Sequence, residues 1–128
     1  EQDLRLTKNL ENYQEVFRAW KRMEVALVNI GNFPSVPDFA SGARFGKLLE
    51  EKKAVGRFLN YFVSEDGYVI RSDMDFAVQI PLELLRKTGH VVGICSSSTS
   101  PKALAAVLKT GYIHELIAPE NVVQNMFI

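Results

Sequence analysis

The chain is short of the groups on which most chemistry is built. It has a single cysteine, so it forms no internal disulfide, and a reducing, cytoplasmic setting is expected. Its two histidines, His90 and His114, are far apart and stand in no ligand-spaced cluster with cysteines or carboxylates. No metal site and no cofactor are therefore predicted. Fifteen basic residues balance fifteen acidic ones, and a domain without net charge is a poor grip for nucleic acid. No apolar run approaches the roughly 20 residues of a membrane helix, and no signal peptide is visible. A Gly-Lys-Ser/Thr phosphate loop is missing, which argues against nucleoside triphosphate hydrolysis. So is a Gly-x-Ser-x-Gly elbow, which argues against serine hydrolase chemistry.

What is present is an ordinary globular composition, 47% hydrophobic and 23% charged over 128 residues. That is about one domain, able to bury roughly two-thirds of its unfolded surface. The chain begins at Glu1 rather than Met and enters a helical pattern almost at once, so a fragment of something longer is expected.

Periodicity orders the chain. Leu10, Tyr13, Val16, Phe17 and Trp20 recur at helical spacing from about Lys8 to Arg22, predicting an amphipathic helix on a core. Val25 to Ile30 is nearly all apolar, as expected of a central parallel strand, and Gly31 lets the backbone turn sharply there or lie against a ligand. A loop from Phe33 to Ala43 follows. Ser41 is then placed to cap a helix that carries Phe45, Leu48 and Leu49 inward. Val55 to Ser64 alternates, predicting one strand with Phe58, Asn60 and Phe62 on one face and Leu59, Tyr61 and Val63 on the other. Glu65-Asp66-Gly67 turns the chain so that Tyr68 to Ile70 pairs back as a hairpin. After a polar link from Arg71 to Asp75, Ala77 to Ile80 reads as a short strand, and Pro81 opens a helix ending at Thr88-Gly89. A buried strand from His90 leads to Cys95, a helix runs from Pro101 to about Thr110, a strand spans Glu115 to Ala118, and a last helix starts at Pro119. The fold class is α/β: a three-layer, Rossmann-like, mostly parallel sheet with helices on both faces and a β-hairpin insertion. Ligands of such sheets sit beyond the carboxyl ends of the strands.

The densest candidate site is Cys95 to Lys102, where five hydroxyl residues, Ser96 to Ser100, lie between a strand and a helix start. Ser100 is a good N-cap and Pro101 suits the first helical position. Two readings fit. Free N–H groups and the helix dipole make a cradle for an anion, with Lys102 beside it; equally, the stretch is a polar loop with a capping serine. Lys102 opposes the dipole, so helix stability alone would not select it. Cys95 reads as an inert core thiol. Arg57 is either a surface or salt-bridge arginine or a bidentate grip on phosphate or carboxylate. Asn60 is either a satisfied buried amide or a ligand contact.

An ordered series of segments carries a resemblance. Val25-Ala-Leu-Val-Asn-Ile-Gly31, Ala54 through Phe62, Glu65-Asp-Gly67 and Val91-Val-Gly-Ile94 are followed by Lys102-Ala-Leu-Ala-Ala106, Gly111-Tyr-Ile113 and Glu115-Leu-Ile-Ala-Pro-Glu120. Together they resemble the C-terminal part of the effector-binding (sugar-binding) domain of the SorC family of bacterial transcriptional regulators. The resemblance implies a fold related to sugar-phosphate isomerases and glucosamine-phosphate deaminases, without their catalysis, over 1–128 as part of a larger sensor domain. It implies a sugar or sugar-phosphate effector, a homo-oligomer, and operator DNA bound only through a helix-turn-helix module outside this sequence. By the resemblance Lys102 contacts the effector's phosphate. Asn29 and Gly31 match a Gly-x-Gly turn with Asn in place of the first glycine. Ser96, Ser97 and Ser98 stand where the family has a glycine-rich turn, Arg57 where an acidic residue is common, and Pro119 where an aspartate is common. Effector contacts are thus expected at Lys102, Ser96, Ser97, Ser98, Asn29, Gly31, Arg57 and Asn60. The competing expectation is an isomerase or deaminase on the related fold, which needs a general base at a strand end; Glu120 is the ready candidate.

Overall fold

The computed structural model describes residues 7–35 and 41–127; residues 36–40 of the expected loop lie outside the described residues. Helix α1 (Glu11–Arg22) begins after Leu10; Thr7 and Lys8 are also helical, but a break at Asn9-Leu10 separates them from it. Tyr13, Phe17 and Trp20 stack along it with ring centroids 6.0–6.4 Å apart. Only its end reaches the core, through Trp20 and the following Met23, while Leu10 and Val16 stay exposed. Strand β1 (Ala26–Asn32) follows. Its alternate residues Ala26, Val28 and Ile30 are buried, and it runs two residues further than the apolar pattern suggested. Where one helix was expected there are two short ones, α2 (Ser41–Phe45) and α3 (Leu48–Glu51), separated by a turn at Gly46-Lys47; Phe45 and Leu49 are buried as the spacing predicted, and Leu48 is half-buried.

The single strand expected over Val55 to Ser64 is two strands. The chain turns at Leu59-Asn60, with Leu59 at φ 51°, and β2 (Ala54–Phe58) pairs antiparallel with β3 (Tyr61–Ser64). The alternating pattern runs unbroken through the turn, so side-chain periodicity gives no sign of it. The turn at Glu65-Asp66-Gly67 does form, and Val69 bridges back to Val63. Ala77 to Ile80 forms no strand. Side chains satisfy this segment instead of a neighbouring ladder: Ala77 N–H donates to Asp75 Oδ1, Gln79 Oε1 accepts from Asn60 N–H, and the Tyr61 hydroxyl donates to the Ile80 carbonyl.

Helix α4 (Leu82–Thr88) ends at Gly89 in the left-handed conformation, followed by β4 (Val91–Ile94), α5 (Pro101–Lys109), β5 (Glu115–Ile117) and α6 (Glu120–Asn125). The sheet order is β3-β2-β1-β4-β5. The pairs β1–β4 and β4–β5 are parallel, whereas β1–β2 and β2–β3 are antiparallel. The architecture is therefore α/β as expected, with a mixed rather than mostly parallel sheet. The β2–β3 hairpin, turned at Leu59-Asn60 inside what was expected to be one strand, adds directly onto β1.

The main core lies between the Ala26–Val28–Ile30 face and helices α4 and α5, with Phe58, Leu85, Leu104 and Val107 fully buried. Along the opposite face, Leu27, Asn29, Ile94 and Ile117 share one side by register and are exposed among the described residues. A second cluster, Phe45, Leu49, Phe62 and Ile70, is roofed by the buried Arg44. Arg44 grips Asp75 through two bonds of 2.6 and 3.0 Å and donates to the Asn60 carbonyl.

Two pH responses follow. Burial acts to raise the Asp75 carboxyl, but the Arg44 bonds and the Ala77 N–H outweigh it and hold the group below the usual carboxylate range. A depressed folded pKa stabilises above the unfolded value near 4 and is lost as pH falls through the folded value. Urea denaturation should show Asp75→Asn weaker by about 2 kcal/mol at pH 7, because Arg44 is left unpaired, with less further loss in acid than the parent. Burial pushes the Tyr61 hydroxyl up to about 12, so the folded state favours its neutral form. Stability should then fall between about pH 10 and 12, and Tyr61→Phe should flatten that slope in the same assay.

Candidate functional site

The structure distributes the expected residues over two groups. The first is the turn after β4. Ser100 caps α5 as its sequence position implied, its Oγ accepting from Ala103 N–H at 3.0 Å with Pro101 next in line. The serines bind one another: Ser96 and Ser98 hydroxyls lie 2.7 Å apart, and Ser98 N–H donates to Ser96 Oγ. Ser96 N–H donates to Thr99 Oγ1, whose own N–H returns to the Ser96 carbonyl. Most of the donors expected to face an anion are thus satisfied internally. The N–H groups of Ser97 and Lys102 make no such bond among the described residues. Lys102 is exposed, and its Nζ lies 3.0 Å from Glu65 Oε1.

The second group surrounds an open cavity of about 340 Å³ lined by Trp20, Asn29, Arg57, Leu59, Asn60, Gln79 and Ile80. Asn29 reaches it from mid-β1 on the exposed face. Arg57 is the register partner of Gly31, and a Cβ on Gly31 would stand 3.2 Å from Arg57 Nε. The missing side chain is what lets the arginine lie across the strand. Arg57 Nε is buried without a hydrogen-bond partner among the described residues. Asn60 is not the buried amide of a continuous strand; it sits exposed in the β2–β3 turn. A cavity of similar size, about 350 Å³, lies under the second hairpin between Lys52 and Arg71 and contains none of the expected residues.

The first group is held to the sheet by a residue that the sequence expectations left out of the site. Asn32, directly after Gly31, donates from Nδ2 to the Ser98 carbonyl at 2.8 Å and accepts from Ser100 N–H at 2.7 Å. It pins the serine turn to the end of β1. Its signal in the sequence was its place in Asn29-Ile-Gly-Asn32, but nothing local assigns its partners, which are 66 and 68 residues away. Cys95 is buried and burial pushes its thiol up, in keeping with an inert core thiol. His114 Nδ1 accepts from Val91 N–H and His90 faces Glu115, both at strand starts. Glu120, the candidate base, is exposed and bonded to Gln124 of its own helix.

The arrangement can hold a polar ligand: one mobile ammonium and two free N–H groups at a helix start, and in the second group a cavity with an indole, two carboxamides from Asn29 and Asn60, a third from Gln79, and a guanidinium. Carboxamides and guanidinium pair with hydroxyl groups, and an indole packs on the apolar face of a sugar ring.

A family model described as "Putative sugar-binding domain" matches residues 2–127. The chain belongs to this sugar-binding domain family. Among solved structures its fold is that of the full-length sorbitol operon regulator SorC of Klebsiella pneumoniae, with a TM-score of 0.79 at 20% identity over 95% of this chain and 41% of that one. A transcriptional regulator of Streptococcus pneumoniae TIGR4 gives a TM-score of 0.77 at 19% identity, over 94% and 48%. A DeoR family transcriptional regulator of Listeria monocytogenes gives 0.74 at 19%, over 96% and 52%. The chain spans about half the length of these regulators or less. No curated protein sequence matches it. The resemblance drawn from the ordered segments therefore holds at the level of family and fold.

Asn32→Ala should remove both bonds that pin the serine turn and cost about 1–2 kcal/mol in urea denaturation. Hydrogen exchange at the Ser100 amide should speed up, while Asn32→Asp, which keeps the acceptor, should retain its protection.

Proposed function

We propose that this chain is the effector-sensing part of a cytoplasmic bacterial transcriptional regulator, binding a sugar or sugar phosphate. Family membership across nearly the whole chain is the observation that carries this reading. In it, the phosphate of the effector lies against Lys102 and the N–H groups of Ser97 and Lys102, at the positive end of α5. The sugar occupies the cavity with Asn29, Arg57 and Asn60, and Gly31 keeps Arg57 in reach. Ser96 and Ser98 shape the turn. Arginine where the family commonly has an acidic residue favours a more anionic ligand.

Residues 1–128 make up part of a larger sensor domain in this reading, and the operator is bound by a helix-turn-helix module carried elsewhere on the protein. Control is a coupling free energy: the effector favours one arrangement of a homo-oligomer, and DNA affinity changes by the differential contacts. Binding is preferred to turnover because, among the described residues, the cavity lining includes no carboxylate or histidine to move a proton from a sugar carbon.

On the full-length protein, a thermal-shift panel of sugars and sugar phosphates should single out a phosphorylated ligand, which at 100 times its Kd adds about 2.7 kcal/mol of stability. By calorimetry, Lys102→Met should weaken that ligand at least about ten-fold, near 1.4 kcal/mol, and leave the unphosphorylated sugar unchanged. Arg57→Ala should weaken it too. Turnover of the ligand, or affinity indifferent to both substitutions, counts against the proposal.

A further inference from the structure

Lys102 has a partner in the free chain. The Glu65 carboxylate sits 3.0 Å from its ammonium, and its pKa is held low, first by that hydrogen bond and then by the charge itself, with Lys53 and Lys109 adding to it. Glu65 comes from the turn after β3, 37 positions before Lys102 in the chain. The side chains of the pair are exposed, but the backbone that carries Glu65 is fixed. Glu65 N–H donates to the Lys53 carbonyl and Gly67 N–H to the Ser64 carbonyl, so the turn backbone is held at both ends. Gly67 is at φ +88°, and a Cβ there would stand 2.5 Å from Lys109 Cβ. The turn is pressed against α5 near its C-terminus by Gly67 and linked near its N-terminus by Glu65.

We propose that Glu65 is a built-in competitor for the anion seat at Lys102, which sets the selectivity of that seat and ties the hairpin turn to its occupancy. The inference rests on the reading of Lys102 as the phosphate contact. A phosphate at Lys102 and the Ser97 N–H brings a second anion to an ammonium that already has one. Lysine offers one compact charge rather than a fork, so phosphate and carboxylate repel across it and Glu65 must give way. Free inorganic phosphate has only these contacts to set against that loss. A phosphorylated sugar adds those of the Asn29, Arg57 and Asn60 cavity. A neutral sugar leaves the pair intact. Glu65 thereby discriminates against bare phosphate, and its release frees one of the two points at which the turn meets α5, a difference between the empty and occupied states of the kind that shifts a conformational equilibrium.

The test is a titration of the full-length protein with inorganic phosphate, read by amide chemical shifts at Ser97 and Ala103, for the parent, Glu65→Gln, Lys102→Met and the double variant. Glu65→Gln should bind phosphate about two- to five-fold tighter, the range expected for removing an exposed ion-pair partner. The gain should vanish in the Lys102→Met background, and the shifts of the turn amides at Asp66 and Gly67 should move with phosphate in the parent but not in Glu65→Gln. Phosphate affinity that drops on Lys102→Met yet is unchanged or weaker in Glu65→Gln overturns the competitor while leaving the phosphate seat standing. Phosphate binding indifferent to Lys102 overturns the seat and the competitor together.

Discussion

Helix α5 lies where it does because Gly56 has no side chain. A Cβ at that position would stand 3.1 Å from the Cα, the Cβ and the carbonyl oxygen of Ala103, too near helix backbone for the neighbour to give way cheaply. The first turn of α5 therefore presses directly on β2, and Leu104 and Val107 are driven fully into the core behind it. The serine-turn half of the candidate site depends on this seating. It brings Ser100 and the serine turn to the end of β1, within reach of Asn32, and it gives the β3 turn a surface to close against at Gly67. A helix start is mobile and weakly polar by itself; one held by a close-packed strand and an amide staple keeps its donors in one place.

The cavity depends on a different anchor. Arg44 is buried, paired with Asp75 and stacked near the rings of Phe45 and Phe62. By donating also to the Asn60 carbonyl it holds the β2–β3 turn, while Asp75 starts the segment that delivers Gln79 and Ile80. A charged pair this far from water is costly unless its bonds are complete, and here both carboxylate oxygens and the turn carbonyl are used. The irregular stretch from Arg71 to Ile80 thus keeps a definite shape without strand pairing, and with it one wall of the cavity.

In the proposed reading, these two anchors hold the groups that recognise a ligand. The charges among them are a mobile lysine that already has a carboxylate partner and an arginine with one buried, unpaired nitrogen, and the remaining lining is amide, indole and aliphatic. Such groups distinguish ligands by charge and hydroxyl pattern, whereas bond breaking at a sugar carbon needs a base aimed at it. The sugar-binding family and the fold shared with regulators agree with that chemistry, although the identity of about 20% carries the fold and no individual residue's role.

Local signals sufficed wherever a segment's own neighbours satisfy it. Ser100-Pro101 started α5 and Gly89 ended α4 because caps act within four residues, and the β-branched apolar runs of β1 and β4 announced strands even though only one face of β1 is buried. Lys102 stood out locally for opposing its helix dipole. Tertiary structure decided what depends on partners far along the chain. The break at Leu59-Asn60 is invisible to a period-two pattern, since alternation continues through the turn and a leucine, not a glycine, takes the left-handed conformation. Antiparallel addition of β2 to β1 made the sheet mixed, an outcome that side-chain burial on either ladder does not distinguish. Asn32 with the serine turn, Arg44 with Asp75 and Glu65 with Lys102 are pairings across 31 to 68 residues. In each case the residue type showed that a hydrogen bond or counter-charge was needed, and only the packing of α5 and the hairpin determined which group supplied it.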